Sequence, residues 1–490
     1  MLSPRRLNLI TAGVMLSLFL ASMEGTVVAT AMPSIVAQLG GLSIYSWVFA
    51  VYMLTSTTTV PLYGKLSDLY GRKAVYAASM LLFLVGSVVC AQATSMEQLI
   101  LFRGIQGIGA GGVLPLAFTI TGEIYTLEQR ARLQGLFSGV WGVSSVIGPL
   151  IGGFLVDQVS WQWVFLINVF PGTLAVLLVW FAWQDSHPRE QVKVSVDYPG
   201  AGFLTLGALS LLLGLNELGN PRSAWFLGSA AALIAALLWV ERRAADPILP
   251  LSLFRDRLFT ISILHGVLAG WAMFGSLNFV PLFVQAVLGT SATQAGISLT
   301  PMSLSWTLAS IFGSRLLLKV SYRVLALAGM ISLALGTFLM TTIGVSSSMA
   351  SIMVYTGLMG LGMGLSIPAF LIAVQSAVPR EQLGIATSTI QFSRSIGGTV
   401  GVSVLGVFLS ARLEGLLRAE GINPASISLE SLLDPLASTG ALMEGPLRAA
   451  LAVASANMFI LALVAALAGL VVVFFTPGGK IKQRDKGTTL

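Results

Sequence analysis

The sequence has 490 residues, of which 55% are hydrophobic and 10% charged, and its formal net charge is +7. Soluble domains carry roughly 25% charged residues, and an apolar surplus of this size cannot hide inside one wetted globule, so a soluble enzyme is excluded and lipid is the expected solvent. The positive charges form no run that would track nucleic acid, and the lone cysteine, Cys90, excludes an internal disulfide and a cysteine metal site.

A membrane-spanning helix needs about 20 mostly apolar residues. Fourteen such runs are predicted, near 8–31, 44–63, 74–92, 98–122, 133–156, 163–183, 200–216, 225–241, 258–287, 295–318, 323–343, 350–376, 384–411 and 448–476. The predicted fold class is therefore all-α membrane protein. The first run follows Ser3-Pro4-Arg5-Arg6 and is too long for a signal peptide, so it reads as a retained first helix. Lys and Arg concentrate in alternate loops, among them Lys65, Arg72, Lys73, Arg130, Arg132, Arg242, Arg243, Arg315, Lys319, Arg323 and Arg380. The other loops hold only Arg222, Arg412, Arg418 and Arg448. By the positive-inside rule, this places both termini in the cytoplasm.

Taken in chain order, the first residue that carries chemistry is Glu24. It alone among 20 acidic residues lies deep inside a predicted span. A carboxyl there is costly to ionise, which makes it a functional candidate by default. Arg103, in span 4, lies at a similar depth, roughly 8–9 Å from the outer end at 1.5 Å per residue, and is its expected partner. Between spans 2 and 3, the segment Gly64-Lys65-Leu66-Ser67-Asp68-Leu69-Tyr70-Gly71-Arg72-Lys73 combines two turn-forming glycines, a carboxylate and two cations. Asp68 there can accept from a helix N-terminus or pair with a cation. Span 4 continues as Gln106-Gly107-Ile108-Gly109-Ala110-Gly111-Gly112. That stretch sits in an apolar helix rather than after a strand, so it is not a nucleotide loop. No Gly-Lys-Ser/Thr phosphate loop occurs, and ATP is not the expected energy source.

In span 5, Gly142, Gly148, Gly152 and Gly153 permit close helix packing, and Pro149 removes a backbone donor and bends the helix. The second half holds further cavity candidates in Trp271, Phe274, Asn278, Gln285, Tyr355 and Met359, beside a lone His265. Gln391, Arg394 and Gly398 share one face of span 13 by their i, i+3, i+7 spacing. No acid of the C-terminal half lies deep enough to pair with Arg394. Substrate contact and structural anchoring are both open readings of it. An outer loop, 412–447, mixes Leu with Arg and Glu around Pro424, Pro435 and Pro446 and reads as short amphipathic helices.

An internal repeat sets Gly104 against Gly357, Pro115 against Pro368, Glu128-Gln129 against Glu381-Gln382, and Gly148 against Gly401. Spans 1–6 thus match spans 9–14, a known transporter plan. The expected organisation is a six-helix bundle over 1–190, an inserted helix pair over 191–257, a second bundle over 258–476 and a tail over 477–490.

At these residues the chain resembles the major facilitator superfamily. The Gly64–Lys73 segment is similar to that family's signature loop, and Arg103 with Gln106-Gly107-Ile108-Gly109 to its span-4 motif. Gly142 with Gly148-Pro149 and Gly152-Gly153 looks like the span-5 motif of its proton-driven exporters. Fourteen spans point to its drug:proton antiporter branch, in which an Asp commonly precedes a Thr-Val-Val run. Here Glu24-Gly25-Thr26-Val27-Val28 has Glu in that place. The resemblance implies two pseudo-symmetric six-helix bundles plus two inserted helices. It further implies a monomer in the cell membrane that exports lipophilic, often cationic, drugs in exchange for protons. Glu24 and Arg103 would serve proton coupling, and Gly64, Asp68, Gly71, Arg72 and Lys73 would form a gating latch. No cofactor beyond the proton gradient is expected, and the partners are amphiphilic small molecules, protons and membrane lipid. A lipid or lipid-linked exporter is the near alternative. A membrane-embedded transferase would need a cluster of His, Cys and acids, whereas this chain has two His and one Cys far apart.

Overall fold

The computed structural model describes residues 3–40, 44, 47–183, 197–244, 247, 249, 251–290, 292–422 and 445–479. Most of the outer loop 412–447 and nearly all of the tail 477–490 lie outside these residues. The described residues form helices and no strands. In chain order the helices are α1 (Pro4–Leu39), α2 (Trp47–Tyr70), α3 (Arg72–Ala91), α4 (Met96–Ile124), α5 (Leu127–Gln158), α6 (Trp163–Leu166), α7 (Val169–Ala182) and α8 (Tyr198–Asn216). They continue as α9 (Arg222–Glu241), α10 (Arg257–Ala286), α11 (Ala292–Ile297), α12 (Thr300–Leu316), α13 (Tyr322–Met340), α14 (Met349–Ala377), α15 (Leu383–Ala419) and α16 (Gly445–Phe474).

Each predicted apolar run falls on a helix or, for 163–183 and 295–318, on a pair of helices. Among the described residues, eleven helices are long and apolar enough to cross a membrane. Helix ends are set by local chemistry. Ser3, Ser95, Asp256 and Ser321 each accept a backbone N–H at a helix start, which satisfies one of the donors a first turn leaves unpaired. Thr126 and Gln129 form a reciprocal capping box at the start of α5. Gln129, which marks the internal repeat, thus has a local reason to be there.

The chain divides into two compact units: Met1–Leu211 with Gly228–Arg255 and Val374–Phe392, and Leu212–Leu227 with Asp256–Ala373 and Ser393–Leu490. In the first unit, α4 packs between α2 and α3, and α1 packs against α5 and α7. Lipid gives no hydrophobic drive between helices, so close contact through small residues has to hold them. Glycines on opposite faces of α4 and on α3 provide it. A Cβ on Gly107 would lie 2.7 Å from the Tyr52 carbonyl on α2, and one on Gly86 would lie 2.6 Å from Gln106 Cβ and N on α4. The obstacle at Gly86 is backbone and cannot rotate away. Gly86→Ala is therefore expected to destabilise the chain by about 1–3 kcal/mol, the usual range for overpacking, and to displace Gln106. A thermal unfolding series in detergent checks this, and a variant as stable as the parent refutes it.

In the second unit, α16 packs against α10 and α13. Glycines also close α10 on α15. A Cβ on Gly270 would strike the Arg394 carbonyl, and one on Gly401 would lie 2.6 Å from the Trp271 carbonyl.

Candidate functional site

A polar cluster sits inside the first unit, enclosed by apolar residues of α1, α3, α4 and α6 that include Met23, Val27, Leu99 and Phe165. At its centre is the Glu24 carboxylate, 1% exposed. Its Oε1 accepts from Arg103 Nη1 at 2.5 Å and from Gln106 Nε2 at 2.9 Å. Its Oε2 accepts from Asn168 Nδ2 at 2.8 Å. Arg103 also donates through Nε to the Val48 carbonyl at 3.2 Å and through Nη1 to Gln106 Oε1 at 2.7 Å. Its guanidinium lies 4.0 Å from the centre of the Tyr52 ring, a favourable seat for a cation. Ser87 Oγ ties the cluster together, accepting from Gln106 Nε2 at 2.8 Å and from Asn168 Nδ2 at 3.4 Å. Cys90 Sγ faces Gln106 Oε1 at 3.8 Å.

Five elements build this cluster: α1 carries Glu24, α2 carries Val48 and Tyr52, α3 carries Ser87 and Cys90, α4 carries Arg103 and Gln106, and the break between α6 and α7 carries Asn168. The spacing of Arg103 and Gln106 puts both on one face of α4. Glu24, Arg103, Gln106, Ser87 and Asn168 are all buried. A buried ion pair holds together only with good geometry and extra hydrogen bonds, and these are present. One atom has no bond: Asn168 Oδ1 is buried without a hydrogen-bond partner. A half-turn of the Asn168 amide would present that oxygen to Glu24 and let the Ser87 hydroxyl donate to it. The cluster can thus offer a neutral acid at position 24 an acceptor, as it offers a carboxylate a donor.

Sequence reasoning finds Glu24 and Arg103, assigns Gln106 to the substrate-cavity candidates whereas the structure places it in this buried cluster, and misses Asn168, Ser87 and Tyr52. Asn168 falls in a run read as one continuous span, 163–183, whereas the structure breaks the helix there. A polar amide in the middle of Trp163–Trp183 is the signal that marks it.

The segment Gly64–Lys73 is nearly all helix, and only Gly71, at φ +88°, separates α2 from α3. Gly71 is the residue that turns the chain. Gly64 is not a turn residue: it lies within α2, where a Cβ would meet the Gly384 carbonyl at 2.9 Å. The Asp68 carboxylate accepts from the backbone N–H groups of Gly384 (3.0 Å) and Ile385 (2.9 Å), at the start of α15. It also pairs with Arg72 at 3.2 Å. Arg72 in turn pairs with Glu123 and donates to the Arg380 carbonyl at 2.6 Å. Negative charge at a helix N-terminus is favourable. Lys73 lies 4.7 Å above the Trp180 ring. Removing the carboxylate in Asp68→Ala should weaken this arrangement by about 1–2 kcal/mol, the range for a lost cap. Cross-linking of cysteines placed at positions 69 and 381 reads this out, and unchanged cross-linking yield contradicts it.

The span-5 glycines lie on α5, which stays a single helix through Gly148-Pro149. The Pro149 side chain lies outside the described ones. Gly148 and Gly152 abut Thr26 and Thr30 of α1, while Gly153 meets nothing within 4 Å. The motif therefore seats α5 on the helix that carries Glu24, beginning two residues beyond it. Gly142 also lies on α5.

The remaining candidates are placed as follows. Gln391 is buried and its Nε2 lacks a partner. Trp271 is half-buried and its Nε1 lacks a partner. Asn278 is exposed and donates to the Phe274 carbonyl at 2.7 Å. Tyr355 and Arg394 are half-buried. Among the described residues, no hydrogen bond joins Trp271, Asn278, Tyr355 and Arg394 to one another. No group of three or more His, Cys, Asp or Glu that could hold a metal occurs among them either.

The chain is 41% identical over 418 residues to the multidrug transporter protein MdtP of Bacillus subtilis, covering 84% of this chain and 76% of that one. It is 37% identical over 405 residues to multidrug resistance protein 3 of the same organism, covering 81% and 78%. The efflux pump dotC of Dothistroma septosporum is 30% identical over 480 residues, covering 94% and 81%. Two solved structures share the fold. The human organic anion transporter MFSD10 has a TM-score of 0.63 at 14% identity, covering 95% of this chain and 100% of that one. The proton:xylose symporter XylE has 0.60 at 15%, covering 97% of each. The family model described as Major Facilitator Superfamily matches residues 14–402. The chain is a membrane transporter and not an enzyme, and it belongs to the major facilitator superfamily.

Proposed function

We propose that the chain is a proton-coupled exporter of lipophilic amphiphiles, working by alternating access in the cell membrane. The observation that carries this reading is the enclosed Glu24 cluster. A carboxyl sealed from water, held by three donors and faced by an amide with a spare oxygen, has a bonded arrangement in either protonation state. Protonation from outside and release inside would then alternate those arrangements, with Arg103 as the counter-charge. The multidrug relatives support drug-like cargo. Fourteen spans, both termini cytoplasmic, two six-span halves related by the internal repeat and a monomeric state complete the proposal.

Asp68, Arg72 and Lys73 would act as the inner latch, with Asp68 gripping the first turn of α15 in one state and releasing it in the other. The span-5 glycines would keep α5 sealed against α1 through the cycle. Purified chain in proteoliposomes with an imposed pH gradient tests the whole reading. A gradient should drive uptake of amphiphilic dyes into inverted vesicles, with counter-movement of protons. Transport that is indifferent to both pH and membrane potential would overturn it.

A further inference from the structure

The helices of the second unit carry an unusual charge census. From α10 to α16 they contain a single acidic residue, Glu414, which is exposed near the end of α15 and paired with Arg418 at 3.1 Å. Arg394 is the twelfth of the 37 residues of α15, about three turns from its start. A charge at that depth costs about 2.5–3.5 kcal/mol on the insertion scale and normally finds a partner. Among the described residues, Arg394 makes no side-chain hydrogen bond, ion pair or ring contact. A purely structural anchor would bind carbonyls, as Arg103 does at Val48 and Arg72 does at Arg380.

The backbone of Arg394 is fixed against α10. A Cβ on Gly270 would fall on its carbonyl, and one on Gly266 would lie 3.5 Å from its nitrogen. The guanidinium is therefore carried by a rigid seam and not by a mobile loop. His265, next to Gly266 on α10, is 2% exposed. Its ring lies 4.6 Å from that of Phe370 on α14, and its Nε2 has no hydrogen-bond partner. The seam thus sets the Arg394 backbone against the turn of α10 that carries His265, on helices whose single acid is Glu414.

Three carboxylates of the first unit, in contrast, are engaged in ion pairs. Glu24 is paired with Arg103, and Asp68 and Glu123 with Arg72. A cationic cargo would find no free acid among these, whereas an anion would find Arg394. We propose that Arg394, carried beside the closed seam of α10 and α15, takes the anionic headgroup, a carboxylate or sulfonate, of the transported amphiphile as its counter-charge, with His265 Nε2 as a second donor. The proposal deepens the exporter reading and rests on it only for the word "transported". Charge-assisted hydrogen bonds to a carboxylate are among the stronger polar contacts, and Arg offers a fork that Lys does not.

The test is equilibrium binding to the full chain in nanodiscs, with no gradient, using a matched pair: a dansyl-tagged long-chain carboxylate and the corresponding dansyl-tagged amine. The carboxylate should bind about tenfold tighter or more, as expected for one charge-assisted contact. Arg394→Gln should erase that preference, Arg394→Lys should keep part of it, and His265→Asn should weaken it modestly. Equal binding of the amine by the parent chain overturns the proposal, whether or not the variants fold. So does a preference that survives in Arg394→Gln. Repeating the titration in phosphatidylglycerol discs identifies the source of the headgroup. Loss of the dansyl carboxylate there supports the site and assigns it to a phospholipid. Retained binding supports the site and assigns it to a free amphiphile. Because no gradient is applied, selective binding without proton-driven transport would reject the exporter reading while leaving the anion site in place.

Discussion

Replacing Glu24 with glutamine is expected to abolish pH-gradient-driven export while leaving insertion and substrate binding in place, at some cost in thermal stability. The geometry explains why the variant should fold. A glutamine at this position keeps one oxygen to accept from Arg103 and Gln106. Its new amide nitrogen would face Asn168 Nδ2, which sits 2.8 Å from Glu24 Oε2. Two donors would then oppose each other. Turning the Asn168 amide removes the conflict by presenting its unpartnered Oδ1. The substitution removes titration, but it also leaves the buried Arg103 without its counter-charge and the turned Asn168 Nδ2 without an acceptor, so the variant should fold yet unfold at a lower temperature than the parent. Gradient-driven transport in proteoliposomes should fall to background, and substrate-induced proton release should vanish with it. Glu24→Asp retains the carboxyl one methylene shorter and should keep partial transport. If Glu24→Gln transports against a gradient as the parent does, the cluster is only structural and the coupling group lies elsewhere.

Which parts of this were legible beforehand follows from the physics of the residues. Apolar runs of membrane length announce themselves because little else tolerates them, so the helices were readable. Glu24 and Arg103 stood out because a charge in an apolar run is expensive and demands a reason. Asn168 and Ser87 did not, since neutral polar residues are common in membrane helices and their partners come from other elements. The break at Asn168 was hidden because Trp163–Leu166 and Val169–Ala182 read as one hydrophobic stretch. The two-helix form of 292–316 was hidden for the same reason. Gly64 was misread because a glycine needed for a neighbour's backbone and a glycine needed for a turn look identical in sequence. Only Gly71 has the positive φ. Asp68 was legible as a helix-capping or cation-pairing residue, yet the capped turn, Gly384-Ile385, lies more than 300 positions away. No local pattern could name it.

Arg103→Met is expected to be strongly destabilising. The methionine fills most of the volume but removes three polar contacts: to Glu24, to the Gln106 side chain and to the Val48 carbonyl. It leaves a buried carboxylate without its cation. Breaking a buried pair in this way costs about 3–5 kcal/mol. The purified variant should therefore unfold at markedly lower temperature and give poor yield. Adding Glu24→Gln removes the stranded charge, so the double variant should regain a large part of the lost stability while remaining unable to transport. The two changes should couple by about 0.5–3 kcal/mol in a double-mutant cycle. Arg103→Lys retains the charge but offers a point donor in place of a planar fork. It cannot serve Glu24, Gln106 and Val48 in the same directions, and it should fall between the parent and Arg103→Met in stability. Thermal unfolding of the four members of the cycle decides the matter. Strict additivity would mean that Glu24 and Arg103 contribute separately, and the paired reading of the cluster would have to be abandoned.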